Sequence, residues 1–250
     1  MSGGGIVLIL GSAPDALRCR DWPRAPFDRI VAINNAWRLR PDWDDLVMPE
    51  DFPAERRPAA PGPGQRLIEA PDFVPAQNLF GGFVLAGGTM AYTAAYWALA
   101  ALAPRVLAFL GCDMVYDTSG PSHFYGQGTP DPLRADISLR DLGAKSARLA
   151  LIAAGRGCAC VNLSEGARSA LLFPRATPAT LDRAAGRARL DDPDRLAALR
   201  AREASLGYDT PDGRYWETPE RFDAAALDAL DGAWRDFYAR EASGGNSEGG

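Results

Sequence analysis

The chain holds a single histidine, His123, and a single lysine, Lys145. Imidazole titrates near neutrality and suits general-base work, so any such chemistry here belongs to His123. Its surroundings are dense in reactive groups. Gly111-Cys112-Asp113-Met114-Val115-Tyr116 is followed closely by Ser122-His123-Phe124-Tyr125-Gly126. A carboxylate, two phenols and the imidazole therefore share one stretch. Phenol hydroxyls donate to a leaving phosphate without adding charge. Arg134, in Asp131-Pro132-Leu133-Arg134, could supply a cation to the same group. His123, Tyr116 and Tyr125 are the candidate catalytic residues, with Asp113 and Arg134 as candidate ligand contacts.

The two singletons also exclude chemistry. A zinc-protease helix needs two histidines on one face. A Walker A loop needs Gly-Lys-Ser/Thr, whereas Lys145 follows Ala144. Asp42-Trp43-Asp44 spells the D-x-D of metal-dependent glycosyltransferases, but it precedes its strand instead of following one and reads as a solvated turn. No metal site is expected. The four cysteines, Cys19, Cys112, Cys158 and Cys160, form no C-x-x-C pair and read as buried small hydrophobes. The net charge of −5 argues against binding nucleic acid through a basic face.

These residues need a scaffold, and the sequence supplies an α/β alternation. Ile6–Leu10 is a wholly apolar strand. Gly11-Ser12-Ala13-Pro14-Asp15 turns into a short helix whose first turn suits Pro14. Arg29–Ile33 is a second strand ending at Asn34-Asn35, and 46–48 a short third. Residues 53–65, with Pro53, Pro58, Pro61 and Pro63, read as an irregular loop. Residues 89–103 form a helix capped by Thr89 and stopped by Pro104. Val106–Leu110 is another buried strand, 114–135 a long loop, 137–154 a helix with Ile137, Leu142, Leu149 and Ile152 inward, and 158–163 a last strand. Helices are expected at 178–205 and 219–241, and disorder at 2–5 and 243–250. Residues 79–104 carry no charge and are long enough to span a bilayer. Their paired glycines favour a buried turn and helix instead. The short apolar run at the N-terminus makes no signal peptide, so a cytoplasmic protein is expected.

The expected fold is a Rossmann-like, mostly parallel sheet with helices on both faces, plus a C-terminal helical extension. Residues 1–173 form the nucleotide-binding domain, 174–242 the extension and 243–250 a disordered tail. In such sheets ligands bind beyond the C-terminal strand ends, where backbone N–H groups are free. Four of those ends are polar or Gly-rich. Gly11, Ser12 and Pro14 allow close approach of an anion. Asn34 and Asn35 can read a nucleobase or ribose edge. Gly88 and Thr89 open a helix N-terminus. Asp113 leaves the strand that leads to His123.

Taken in order, the Gly-x-x-Pro loop, the strand-end Asn, the small-residue helix start, the Gly-x-Asp strand end with its Tyr and the His-aromatic pair resemble one family. They are similar to bacterial lipooligosaccharide α-2,3-sialyltransferases, and to a related group that includes MptE-like 6-hydroxymethylpterin pyrophosphokinases. The resemblance covers residues 6–173. It implies transfer from a CMP-sugar without a metal or other cofactor. His123 would be the base, Tyr116 and Tyr125 the phosphate partners, Gly11 to Pro14 with Asn34 the nucleotide loop, and Gly88-Thr89 the donor-carboxylate site. The chain departs from the family at Ser12-Ala13-Pro14-Asp15, where the family has Asn-Gly-Pro-Ser.

The expected function is a metal-independent glycosyltransferase whose partners are a nucleotide-sugar and a glycan acceptor. Diphosphate transfer from a nucleoside triphosphate and a non-catalytic nucleotide-binding scaffold are the alternatives. The C-terminal helices could serve as a contact between copies of the chain.

Overall fold

The computed structural model describes residues 4–115, 122–126 and 135–244. Six parallel strands form one sheet: β1 (Ile6–Leu10), β2 (Arg29–Ile33), β3 (Asp45–Val47), β4 (Arg66–Ile68), β5 (Val106–Leu110) and β6 (Ala159–Asn162). Their order is β4-β3-β2-β1-β5-β6. The chain starts in the middle, winds outward through β2, β3 and β4, then returns to the other side of β1. The reversal falls between β1 and β5, which pair from Ile6 with Val106 to Leu10 with Leu110. This is the Rossmann-like α/β architecture expected from the sequence.

Strand side chains alternate between faces, and both faces are covered. Val7, Ile9, Val31, Ile33, Leu107 and Phe109 pack on one side with the helical residues Tyr92, Tyr96, Leu149, Trp234 and Phe237. Ile6, Leu8, Leu10, Ile30, Ala32, Ala108 and Leu110 pack on the other, against Ala16, Cys19, Leu39, Trp43 and Leu181. Burial on both faces explains why β1 and β5 read as unbroken apolar runs.

The first face carries α1 (Ala70–Leu79), α3 (Met90–Ala101), α4 (Leu142–Ala154) and much of the C-terminal region, with the short α2 (Phe83–Ala86) between α1 and α3. The C-terminal region comprises α5 (Leu181–Ala185), α6 (Pro193–Ala204) and α7 (Ala224–Gly244). Among the described residues no helix is long and apolar enough to cross a membrane. The uncharged stretch 79–104 breaks into the end of α1, then α2 and α3, with Gly81, Gly82 and Gly87 all at positive φ.

Several boundaries differ from the sequence reading, each for a local reason. β4 and α1 follow the Pro-rich loop and were hidden by it. Pro71 is accommodated in the first turn of α1, and Pro75 is tolerated inside it. The expected 137–154 helix is two pieces, because Asp136 and Asp141 each cap their own start. Asp136 accepts Ser138 N at 2.8 Å, and Asp141 accepts Ala144 N at 2.9 Å. The expected 178–205 helix is broken at 186–192, where Gly186 ends α5 and Asp192 caps α6. At the N-terminus Gly5 is fixed, its carbonyl accepting Arg105 N. Helix α7 continues to Gly244. All four cysteines are free and buried.

The C-terminal helices are bound in by a buried polar hub. Arg148 of α4 and Glu203 of α6 are 1% and 2% exposed and form a two-pronged pair, with Nε to Oε1 at 2.6 Å and Nη2 to Oε2 at 2.9 Å. Glu203 also accepts Trp234 Nε1 at 2.8 Å and Arg200 Nη1 at 2.6 Å. Arg148 donates further to Tyr96 Oη at 2.6 Å and to the carbonyl of Phe80. Lys145, also on α4, is buried and donates to Asp231 of α7 at 2.8 Å. Burial pushes the Lys145 amine down and the Asp231 carboxyl up.

Candidate functional site

Three segments meet at the reversal between β1 and β5. Gly11 leaves β1 with its N–H bonded to Leu110 O at 2.8 Å, and Ala13 N bonds Gly111 O at 3.1 Å. The two strand ends touch at their glycines. A Cβ on Gly11 would lie 2.3 Å from the Gly111 carbonyl oxygen, and Gly111 has φ +69°. Gly11→Ala should therefore force the two strand ends apart and cost about 1–3 kcal/mol, the usual range for overpacking. A melting curve unchanged from the parent would show that this contact is slack.

The third segment is the His123 turn. Phe124 N donates to Ser12 O at 2.9 Å, so the turn is stitched onto the loop that ends β1. His123 and Gly126 exchange both backbone hydrogen bonds at 3.1 Å, closing a tight hairpin. The imidazole Nδ1 lies 2.9 Å from Ser122 Oγ, and its ring stacks on Tyr125 at 4.9 Å between centroids. Phe124 crosses Tyr125 edge-on and packs on the second core face. Burial lowers the His123 pKa from its ordinary 6.5, which favours the uncharged ring that a proton acceptor needs. Among the described residues Nε2 makes no hydrogen bond. A base at Nε2 requires the proton on Nδ1, donated to Ser122 Oγ.

Asp113 is where the sequence places it, at the exit of β5, but it is not free. Its Oδ1 accepts Asn162 Nδ2 at 2.8 Å and lies 3.6 Å from Arg175 Nη1. Asn162, at the end of β6, also donates to Ser169 Oγ and accepts Ser164 N at 2.9 Å. Ser164 Oγ in turn accepts Gly111 N at 3.2 Å. This network holds the ends of β5 and β6 in register. The sequence reading missed Asn162, Ser164 and Arg175. The signal was present, because Asn162 ends an apolar strand with a polar residue just as Asn34 does.

Asn34 and Asn35 do end β2, and Asn34 stands in the left-handed region at φ +50°. Both Oδ1 atoms are buried without a hydrogen-bond partner. Two adjacent unsatisfied acceptors at a strand end are costly and call for an N–H donor.

Gly88 and Thr89 sit beside the C-terminal extension. The Thr89 hydroxyl accepts Tyr92 N at 3.3 Å and caps α3. A Cβ on Gly88 would meet Ser138 Oγ at 2.3 Å and Tyr215 Oη at 3.0 Å. Tyr215 donates to Asp136 Oδ2 at 2.8 Å, so hydroxyls of the chain itself stand against this glycine. Pro14 opens the one-sided helix 14–21. Tyr116 and Arg134 lie outside the described residues.

The structure thus brings together Gly11, Ser12, His123 and Tyr125, while Asp113, at the exit of β5, faces Asn162 and Arg175. Among the described residues, no hydrogen bond joins Asn34, Asn35, Gly88 or Thr89 to the His123 turn. The D-x-D carboxylates are structural. Asp42 pairs with Arg40 at 2.8 and 2.7 Å, and that contact lowers its pKa. Asp44 accepts Ile30 N and Arg24. Among the described residues no three histidine, cysteine, aspartate or glutamate side chains converge as a metal site. The chain matches no family model, no curated protein and no solved structure.

Proposed function

We propose that this protein is a cytoplasmic, metal-independent glycosyltransferase that moves a sugar from a nucleotide-activated donor, CMP-linked, to a hydroxyl of a surface-glycan acceptor. One observation carries the reading: the turn that bears the chain's single histidine is tied through Phe124 N to the β1 loop at the point where the strand order reverses, and burial there favours the neutral ring. Open α/β sheets bind nucleotides at that point.

In this reaction the acceptor hydroxyl gives its proton to His123 Nε2 as its oxygen attacks the anomeric carbon. The bond from that carbon to the nucleotide phosphate oxygen breaks, and the nucleotide leaves with the electron pair. Attack opposite the leaving group inverts the anomeric centre. Tyr125, and Tyr116 with it, would donate to the departing phosphate, with Arg134 as a cation for the same group. Asn34 and Asn35, at the end of β2, would read the edge of the base. Backbone at Gly11 and Ser12 would approach the phosphate.

Diphosphate transfer from a nucleoside triphosphate fits less well. It relies on carboxylates that hold Mg²⁺ on the phosphates, and Asp113 is already engaged by Asn162 and Arg175. A thermal-shift panel of CMP, CDP, UDP, GDP and ATP, each with and without Mg²⁺, separates the readings. A nucleotide at 100 times its dissociation constant adds about 2.7 kcal/mol of stability. CMP should stabilise the protein equally in chelator and in Mg²⁺. Stabilisation by ATP alone, and only with Mg²⁺, would replace sugar transfer with diphosphate transfer. No response to any nucleotide would overturn both.

A further inference from the structure

A groove of about 420 Å³ opens between the helix 14–21, the turn after β6 and the segment 174–180. It belongs to neither the His123 turn nor the C-terminal helices. Two guanidinium groups line it, Arg18 and Arg175, together with Ser164, Glu165, Thr177 and Thr180. Its lining carries two positive charges and one negative, in a chain whose net charge is −5.

Both arginines are fixed in place by backbone. Arg18 Nη1 donates to Leu163 O at 3.1 Å. Arg175 donates from Nη1 to Ser164 O at 2.6 Å and from Nη2 to Gly166 O at 2.7 Å. Carbonyls orient a guanidinium without cancelling its charge, so little side-chain freedom is left to lose when an anion arrives. Three carboxylates also stand near the two arginines. Glu165 contacts Arg18, but its side chain is 71% exposed, and an exposed pair of this kind contributes little. Asp15 accepts Glu165 N at 3.0 Å and stands 3.5 Å from Arg18. Asp113 is 3.6 Å from Arg175 with its Oδ1 already taken by Asn162.

We propose that this groove is an anion site that takes a phosphate group, held between the Arg18 and Arg175 guanidinia. Each guanidinium nitrogen in these bonds carries a second N–H, and a phosphate offers enough oxygens to accept the remaining donors of both arginines. The site stands on its own geometry and does not depend on sugar transfer. Through Asp113 and Asp15 it adjoins the β1 and β5 ends, so the phosphate could belong to a nucleotide or to a separate phosphorylated ligand.

The test is calorimetric titration of the full chain with inorganic phosphate and, separately, with CMP. Phosphate should bind the parent protein at millimolar concentration. Arg18→Gln and Arg175→Gln should each weaken it about tenfold, a loss of about 1.4 kcal/mol, and the double variant should abolish it. Glu165→Gln removes the exposed competitor and should tighten binding. CMP affinity that falls in step with phosphate affinity identifies the phosphate as the nucleotide's. CMP affinity that holds while phosphate affinity falls assigns the groove to another ligand. Should Arg175→Gln fail to fold, Arg18→Gln and Glu165→Gln decide by their opposite signs. Phosphate that does not bind the parent, or binds the folded arginine variants equally well, overturns the proposal.

Discussion

Glu203→Ala should destabilise the protein by about 3–5 kcal/mol, the usual loss when one partner of a buried ion pair is removed. The reason is the company Glu203 keeps. It neutralises Arg148, 1% exposed, and accepts from Arg200 and Trp234 as well. Without it, a fully buried guanidinium loses its counter-ion, and the Trp234 N–H loses its acceptor. Arg148 cannot escape by deprotonating, because its surroundings push its pKa further up. Urea unfolding of the full chain measures the effect, and a loss below about 1 kcal/mol would show that water replaces the carboxylate.

The same residue sets a pH dependence. Burial alone would raise the Glu203 carboxyl, but Arg148 and Arg200 outweigh it and hold the pKa below the ordinary 4.5. A depressed carboxyl stabilises the fold fully above its unfolded pKa. That contribution fades as pH falls through the folded value. Acid should therefore weaken the parent protein more steeply than Glu203→Ala below about pH 4.5.

His123→Ala should lower sugar transfer by about 10²–10⁴-fold, the usual contribution of a positioned general base, with nucleotide affinity unchanged. Its contacts explain why the loss should be confined to chemistry. The turn is held by backbone bonds of His123, Phe124 and Gly126, which alanine keeps. The imidazole itself contributes a ring stack on Tyr125 and one contact to Ser122. The parent's kcat/KM should rise with pH through a pKa below 6.5, because burial favours the neutral ring, and then level off. The alanine variant should lack that limb. Turnover equal to the parent's would remove His123 from the reaction.

The sequence made the sheet legible because its strands are short apolar runs ended by polar or glycine residues. Ile6–Leu10, Arg29–Ile33 and Val106–Leu110 are found as read. The reversal between β1 and β5 was not legible. It depends on which strands pair, and nothing local to β1 states that its neighbours are β2 and β5. Helix α1 escaped notice because Pro71 and Pro75 mimic a loop, although both are housed in a capped helix. The broken helices were hidden for the opposite reason. Asp136, Asp141 and Asp192 act as caps, and in sequence they look like the polar face of a longer helix.

At the site, the contribution of Gly11 and the His123 turn could be read, since a strand-end glycine and a lone imidazole are local features. The tie between Ser12 and Phe124 spans more than a hundred residues and is written in no motif. The binding of the C-terminal helices was equally hidden. Their Ala- and Arg-rich composition names no partner, yet Glu203 and Trp234 lie in a buried polar cluster with Arg148 of α4. Arg175 was missed because it lies beyond the last strand and reaches back to it.

One imidazole gives one set of histidine signals, and nuclear magnetic resonance of ¹⁵N-histidine-labelled protein tests most directly whether His123 stands over the nucleotide site. Saturating the protein with the nucleotide that stabilises it should move the His123 ring resonances and change the pH at which they titrate. Ring signals and a titration midpoint unaltered by a bound nucleotide would place that ligand elsewhere and contradict the assignment of His123 to the reacting centre.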